Sequence, residues 1–299
     1  MDQLLKPAWL TIRPPTGKFD DVKSTLRGLG LVTVCEEAHC PNISECWSSG
    51  TATFMVMGDT CTRGCRFCNV SKARTGKPLD PDEPRKIAEA VALWKLDYVV
   101  LTSVDRDDLP DQGASHFAAC VSAIKQCCPG VFVEVLIPDF RGQRELIEIV
   151  VRAQPDVLDH NLETVKRLQR TVRDMRAGYE QSLAVLRMAK EMNPSLYTKS
   201  SLMLGLGETE DELVTAFRDL RAIGVDIVTL GQYLRPSLRH LAVVEYVSPE
   251  KFNYSKQLAE KEGFLYCAAG PFVRSSYRAG ELFTKHVLQQ RNNGQKSAC

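Results

Sequence analysis

The sequence predicts an α/β fold: a partial (β/α)6 barrel over 54–263, flanked by an N-terminal extension (1–53) and a C-terminal tail (264–299). Three observations lead there. From residue 54 onward, six short β-branched runs each precede helical periodicity, the pattern of a parallel sheet covered by helices. Six units fall short of the eight that close a full barrel, which leaves one side open. The motif-bearing stretches also follow the strand candidates directly, where such a sheet places its functional loops.

The elements read in order. "TFMVM" (54–58) is the first strand, and "PRKIAEAVALWK" (84–95) the first barrel helix, with Ile87, Val91 and Trp94 on one face. "DYVVLTSV" (97–104) is a buried strand followed by helix "SHFAACVSAIKQC" (115–127), and "VFVEVLI" (131–137) pairs with "RELIEIVVRA" (144–153). "DVLDHNLE" (156–163) is the fourth strand, followed by two helical runs, "ETVKRLQRTV" and "YEQSLAVLRMAKEM". "YTKSSLML" (197–204) leads to "ETEDELVTAFRDLRAI", which opens with a Thr209 cap and an acidic first turn. "DIVTLGQYL" (226–234) is the sixth strand, and "SPEKFNYSKQLAEKE" begins with a serine cap and a proline at the first helical position.

Composition narrows the function. Lys plus Arg is 38 and Asp plus Glu is 37, so the net charge of +1 predicts no general affinity for nucleic acid or membrane. No apolar run approaches the ~20 residues of a membrane span. The start, "MDQLLKPAWLTIRPPTGK", lacks an apolar signal core and an Arg- and Ser-rich amphipathic transit pattern, so a cytosolic location is expected. Eleven cysteines in such a compartment point to metal or redox chemistry rather than disulfides, and six of them fall between Cys35 and Cys68.

Cys61, Cys65 and Cys68 stand at C-x3-C-x2-C spacing immediately after the first strand. A zinc site is one reading, yet no fourth Cys or His follows within thirty residues. A [4Fe–4S] cluster held by three thiolates is the other, and it leaves one iron open to a small molecule. "CEEAHCPNISEC" supplies a second triplet, Cys35, Cys40 and Cys46, again without a fourth ligand. It reads as a zinc clasp, to which His39 could contribute, or as a second iron–sulfur cluster. Cys267 and Cys299 are candidate fourth ligands on chemistry alone. Cys120, Cys127 and Cys128 fall on one helix and its end, and read as structural.

The first triplet, with Phe67 before its last cysteine, resembles the radical S-adenosylmethionine (SAM) superfamily, which makes the expected fold a partial barrel of radical SAM type. The resemblance sharpens to one family, lipoyl synthase, through "CEEAHCPNISECW", "GTATFMVMGDTCTRGCRFCNV", "LTSVDRDDLPDQGA", "HNLETV", "KSSLMLGLGE", "TLGQYL" and "AGPFVRSSY", which span nearly the whole chain. It implies two [4Fe–4S] clusters and S-adenosyl-L-methionine as cofactors. The open iron of the first cluster chelates S-adenosylmethionine, and reduction yields a 5′-deoxyadenosyl radical. The second cluster gives up sulfur to C6 and C8 of an octanoyl chain amide-linked to a carrier lysine. The implied partners are octanoylated lipoyl domains of 2-oxo-acid dehydrogenases and the glycine cleavage H protein, a ferredoxin- or flavodoxin-type electron donor, and an iron–sulfur carrier.

The same resemblance implies Ser276, in "RSSY", as fourth ligand of the second cluster; without it the motif reads as a polar turn. Oxygen is a harder donor than thiolate and is expected to leave iron more readily. Arg274 is expected to orient that cluster or the substrate amide. Around S-adenosylmethionine the expected contacts sit at strand C-termini: Thr102 and Ser103, Asn161 and Glu163, Gly205 and Gly207, and Leu230 to Gln232. Each taken alone is also explained by a turn, a cap or core packing. "VDRDDLPD" reads as a solvated loop, or as a lid closed by an Asp105–Arg106 ion-pair network. The chain departs from its relatives in lacking a proline–glycine turn in "TVRDMRAGYEQS", leaving the roles of Arg173 and Arg176 open, and in carrying Arg235. The nearest enzymatic alternative is a two-cluster methylthiotransferase; the alternative from another class is a zinc-stabilised binding module.

Overall fold

The computed structural model describes residues 5–12, 14–48 and 52–276. Among them, seven strands form one parallel sheet in chain order: β1 Thr53–Val56, β2 Tyr98–Ser103, β3 Phe132–Leu136, β4 Val157–Asp159, β5 Tyr197–Leu204, β6 Ile227–Gln232 and β7 Tyr266–Gly270. Helices α4 (Glu83–Trp94), α5 (Ala114–Cys127), α6 (Arg144–Arg152), α7 (Gln169–Val172), α8 (Tyr179–Met192), α9 (Glu210–Ala222) and α10 (Pro249–Lys261) lie in the crossovers, and β1 and β7 are the sheet edges. The barrel is unclosed, as expected, with seven strands rather than six.

The added strand lies in the stretch assigned to the tail. "YCAAG" carries no β-branched residue, so its composition hides it; it is a strand because Ile227 to Gly231 of β6 pair with it residue for residue. β4 is shorter than expected. Glu163 has φ 67°, a left-handed turn that interrupts the ladder, and the chain rejoins β5 where Glu163 N donates to Ser201 O and Met203 N to Glu163 O, both at 2.9 Å. "ETVKRLQRTV" forms only a 3-10 turn and the four-residue α7. Where the local chemistry was specific, the reading held: Thr209 and Glu212 form a reciprocal capping box on α9, and Ser248 caps α10 before Pro249.

At the N-terminal ends of the strands Tyr98, Phe132, Val157, Tyr197, Ile227 and Tyr266 pack together and plug the barrel floor. The upper end is left for function. β1 is released toward it by two successive left-handed residues, Met57 (φ 68°) and Gly58 (φ 86°). Glu83 at the start of α4 fixes this turn by accepting from Met57 N at 2.9 Å while His116 of α5 holds the same oxygen at 2.6 Å. In the N-terminal extension, α1 (Phe19–Leu29), α2 (Val34–Glu37) and α3 (Ile43–Ser48) dock on the main core through Val22, Leu26 and Trp47. Thr33 bridges Phe54 of β1, and Met55 N donates to Val32 O at 2.9 Å. Among the described residues no helix is long and apolar enough to cross a membrane.

Candidate active site

The first triplet occupies a loop tied down on all sides. Thr60–Cys61 pairs with Ser71–Lys72 to close its neck. Arg63, almost fully buried, donates to Asp107 at 2.9 Å and to both oxygens of Asp139 at 2.6 Å, joining the loops after β2 and β3 beneath the cysteines. Arg66 N donates to Val172 O at 2.9 Å, and His240 reaches Cys68 O at 3.1 Å. Two backbone amides point at sulfur: Arg63 N to Cys61 Sγ at 3.4 Å and Asp174 N to Cys65 Sγ at 3.3 Å. Burial pushes the Cys61 and Cys65 thiols up to about 12, with Asp105 adding to the effect, and raises Cys68 as well. Burial thus favours the neutral thiol at all three positions, and a metal held there would have to displace the proton.

The acidic loop is arranged differently from the expectation. Arg106 turns to Asp108 (2.8 Å) and Met57 O, while Asp105 faces Arg63 at 3.3 Å and Cys61 Sγ at 3.6 Å. A guanidinium beside a buried carboxylate is better matched by Arg63, which shares that burial, than by a sequence neighbour.

In the second triplet Cys35 lies on α2, Cys40 just after it and Cys46 on α3. Burial first, then the charge of the other cysteines, pushes Cys35 and Cys46 up to about 12. The tail reaches this triplet: Asn42 Nδ2 donates to Phe272 O at 2.6 Å, and the Arg274 guanidinium acts on Cys40. Arg274 also donates to Val273 O at 2.7 Å, which fixes the turn leading to the partly buried Ser276. The indole N–H of Trp47 is buried beside Cys35 without a conventional partner, a donor available to a sulfide or thiolate. Tyr277 and Cys299 lie outside the described residues. Cys267 is packed in the core on the α10 side of β7, beside Lys256 and Glu260.

The donor geometry bears on metal type. Among the described residues, the set whose ligand atoms all fall within 4.8 Å of one another is Glu83, His116 and Cys120, not either cysteine triplet. Four thiolates around one zinc at ~2.3 Å sit roughly 4 Å apart. More widely set sulfurs suit the corners of a polynuclear cluster. Glu83 and His116 are committed to each other and to Met57.

Along the upper edge, Ser103 Oγ, Asn161 Oδ1 and Thr229 Oγ1 are buried without a hydrogen-bond partner. Each such group costs about 1–3 kcal/mol unless something pairs with it, and together they fit a polar ligand such as S-adenosylmethionine. Thr102 is buried next to Ser103. Glu163 stands near Cys68 and Arg173; burial raises its carboxyl and Arg173 opposes that. The other predicted contacts are engaged by the protein itself. The amide of Gln232 donates to Leu204 O, Tyr233 O and Glu245 O and accepts from Val247 N. Glu208 closes "GLGE" by accepting from Gly205 N and Leu206 N, and a Cβ at Gly205 (φ 93°) would strike Glu245 O and Gln232 Nε2. Gly207 (φ 101°) gives its carbonyl to Arg167.

Several residues at the site escaped the sequence reading. Asp174, besides its amide on Cys65, accepts from Gly64 N at 2.6 Å, and Arg176 clamps it at 2.8 Å while donating to Thr62 O. Gly231 falls in the expected Leu230 to Gln232 stretch, but its closeness to the tail did not show: Val273 crosses β6 there and leaves no room for a side chain. Lys199 was legible in principle, since a lysine inside a buried strand demands a buried partner.

Comparison with known proteins agrees with this geometry. The family model of the radical SAM superfamily matches residues 55–220, and that of the N-terminal domain of lipoyl synthase matches residues 1–40. The fold is shared with methylornithine synthase (TM-score 0.56, 13% identity, covering 84% of this chain and 74% of that one). It is shared also with the FeFe-hydrogenase maturase HydG from Carboxydothermus hydrogenoformans (TM-score 0.54, 15% identity, 77% and 65%). Sheet, helices and cysteine loop together define a radical SAM enzyme. Over 290 residues the chain is 59% identical to lipoyl synthase of Anaeromyxobacter sp. (strain Fw109-5), covering 97% of this chain and 98% of that one. It is 58% identical over 294 residues to the chloroplastic lipoyl synthase of Ricinus communis (96% and 81%), and 57% identical over 305 residues to lipoyl synthase of Halobacterium salinarum (strain ATCC 29341 / DSM 671 / R1; 99% and 97%). The chain belongs to the lipoyl synthase family, and its activity is radical insertion of two sulfur atoms, at C6 and C8, into a protein-bound octanoyl-lysine.

Proposed function

We propose that Cys61, Cys65 and Cys68 hold the [4Fe–4S] cluster whose open iron takes S-adenosylmethionine, and that Cys35, Cys40, Cys46 and Ser276 hold a second [4Fe–4S] cluster that donates the sulfur. The observation that carries the second half is the tail laid against the second triplet, through Asn42 to Phe272 and Arg274 to Cys40. That contact brings a serine two residues beyond Arg274 toward three thiols that lack a fourth ligand. When bound, the first cluster with its cofactor supplies an oxidant for an unactivated C–H bond, and the second supplies sulfur.

The chain's own contribution is position and exclusion of water. Arg63 and Asp174 hold the first cysteine loop rigid and turn backbone N–H groups onto its sulfurs. Ser103, Thr102 and Asn161 offer hydroxyl and amide groups to the polar end of the cofactor, and the Glu163 carboxylate suits ribose hydroxyls. Gly205, Gly207 and Gln232 support that edge by holding its backbone in shape. Arg274 places a positive charge beside the second triplet. The plugged floor bars water from below. The open side admits a lysine-tethered octanoyl chain while its carrier, a lipoyl domain of a 2-oxo-acid dehydrogenase or the glycine cleavage H protein, stays outside. A ferredoxin- or flavodoxin-type protein supplies electrons, an iron–sulfur carrier restores the second cluster, and the setting is cytosolic, with no nucleic acid or membrane involved.

The test is anaerobic reconstitution with iron and sulfide, followed by S-adenosylmethionine, dithionite and an octanoyl-lysyl peptide, with peptide mass as readout. Two added sulfurs are expected, together with iron for two clusters in the wild type and for one after Cys40→Ala. Zinc in place of iron, or equal iron in both proteins, would sink the assignment.

A further inference from the structure

The outer side of the Cys61–Cys68 loop faces solvent: Gly64 and Arg66 are exposed, and Cys65 and Cys68 only half-buried. Two other loops are stitched to it there. Arg66 gives its amide to Val172 O and its guanidinium to Thr171 O at 3.2 Å, and Leu241 N donates to Arg66 O at 3.4 Å. These loops raise Met175 and Leu238 into solvent, 79% and 74% exposed, together with the exposed Arg170 and Arg239. Among the described residues Arg66, Arg170 and Arg239 form no ion pair, while the nearby Asp107 and Asp174 are taken up by Arg63, Arg141 and Arg176. The stitched loops thus carry uncompensated positive charge and two exposed apolar side chains, on a chain whose net charge is only +1. Exposed apolar groups rimmed by charge mark a place of contact.

We infer that this face docks the protein that delivers the electron: a small one-electron carrier of the ferredoxin or flavodoxin class, with an acidic surface around its redox group. The inference rests on the reading of Cys61, Cys65 and Cys68 as ligands of a redox cluster. Position selects this occupant over the octanoylated carrier. An electron donor needs close approach to the cluster, and here the exposed Gly64 and Arg66 of the cysteine loop itself form the surface. The acylated carrier instead needs an entrance, and this face is sealed beneath by Val172, Leu206 and Tyr233 packed with Phe67 and Leu241. In each encounter one electron passes to the cluster and the donor leaves oxidised by one; no atom crosses. Long-range attraction with a small apolar centre gives fast, weak, salt-sensitive association, as a donor that must leave requires.

The test uses the reconstituted enzyme, the double variant Arg170→Glu/Arg239→Glu, and Leu238→Asp, all exposed positions outside the cluster loop. Oxidised flavodoxin is titrated at low and high salt, and S-adenosylmethionine cleavage is driven either by reduced flavodoxin or by dithionite. The charge reversals are expected to weaken flavodoxin binding by about tenfold or more and to flatten its salt dependence. Leu238→Asp should weaken binding at all salt concentrations, and dithionite-driven cleavage should stay at the wild-type rate. Unchanged flavodoxin affinity overturns the inference, as does weakened affinity for an octanoylated lipoyl domain in place of flavodoxin, or a parallel fall in both cleavage rates. A wild type that binds flavodoxin yet cleaves nothing with dithionite would instead defeat the reading of the three cysteines.

Discussion

The buried Lys199 ammonium donates to the carbonyl oxygen of Ser275, so a central barrel strand grips the tail one residue before Ser276. Lys199 pairs with Glu134 at 2.7 Å, and the Tyr98 hydroxyl donates to the other Glu134 oxygen. Asp159 lies 4.0 Å from Lys199, but burial lifts its carboxyl well above the usual range, so the charge-paired unit is Lys199 with Glu134. Lys199 thus fixes the tail next to Ser276, the residue proposed above as fourth ligand of the second cluster.

Lys199→Met alone leaves Glu134 buried and unpaired, a cost of about 3–5 kcal/mol. The double variant Lys199→Met/Glu134→Leu removes that penalty and still releases Ser275. It is expected to melt near the wild-type temperature, to keep the first cluster and to lose iron from the second under a chelator. Equal iron retention at both clusters would reduce Lys199 to a residue of the fold.

His160 gives the protein a pH dependence of its own. Its Nδ1 donates to Ile137 O at 2.8 Å, and its Nε2 accepts from the Ser182 hydroxyl, which in turn accepts from Arg173 at 2.7 Å. Burial, helped by the Arg173 charge, holds the imidazole at about 4, below the ordinary 6.5. The unfolded chain takes up the proton first as pH falls, so this contribution is complete above pH 6.5 and is lost progressively toward pH 4, to a limit of about 3 kcal/mol. Urea unfolding at pH 7 and pH 5 checks it: wild type should lose more stability between the two than His160→Asn does. Equal losses would mean that His160 is not held neutral.

These relationships show what a sequence carries and what it does not. Apolar periodicity placed β5 and α8 at their observed limits because each is defined by its own residues. β7 is defined by its neighbour β6, and "YCAAG" says nothing of that by itself. The two cysteine triplets stood out because ligation of a metal would impose such spacing along the chain. Their supports did not: Asp174 meets Cys65 from 109 residues away and His240 meets Cys68 from 172 away, and neither distance leaves a pattern. The packing of Gln232 and Gly205 against Glu245 and Leu204 was not legible, because a motif at a strand end reads the same whatever its side chains hold.

Asp174 should control the proposed first cluster as Lys199 should control the proposed second. Asp174→Ala strips Gly64 N–H of its acceptor and frees Arg176, at about 1–3 kcal/mol for the orphaned donor. That corresponds to roughly 5- to 150-fold weaker retention of the first cluster. Iron lost to a chelator should come from the first cluster while the second is kept, the reverse of the Lys199 double variant. Asp174→Asn retains an acceptor for Gly64 and should recover most of the loss. Faster loss from both clusters alike would point to general unfolding of the variant rather than to a tie on one loop.

Ser276 is tested best by improving it. If its oxygen completes the second cluster, Ser276→Cys substitutes a thiolate, which iron–sulfur clusters hold more firmly than the harder oxygen. Iron at that site should then outlast the wild type under a chelator. Sulfur insertion needs the same ligand to let go, so doubly thiolated peptide should fall while S-adenosylmethionine cleavage continues. Ser276→Ala should show the other combination, with iron retention and insertion both reduced. The opposed response of one readout and the shared response of the other separates a ligand from a residue of the turn. A Ser276→Cys enzyme with wild-type retention and wild-type insertion would place the fourth ligand elsewhere.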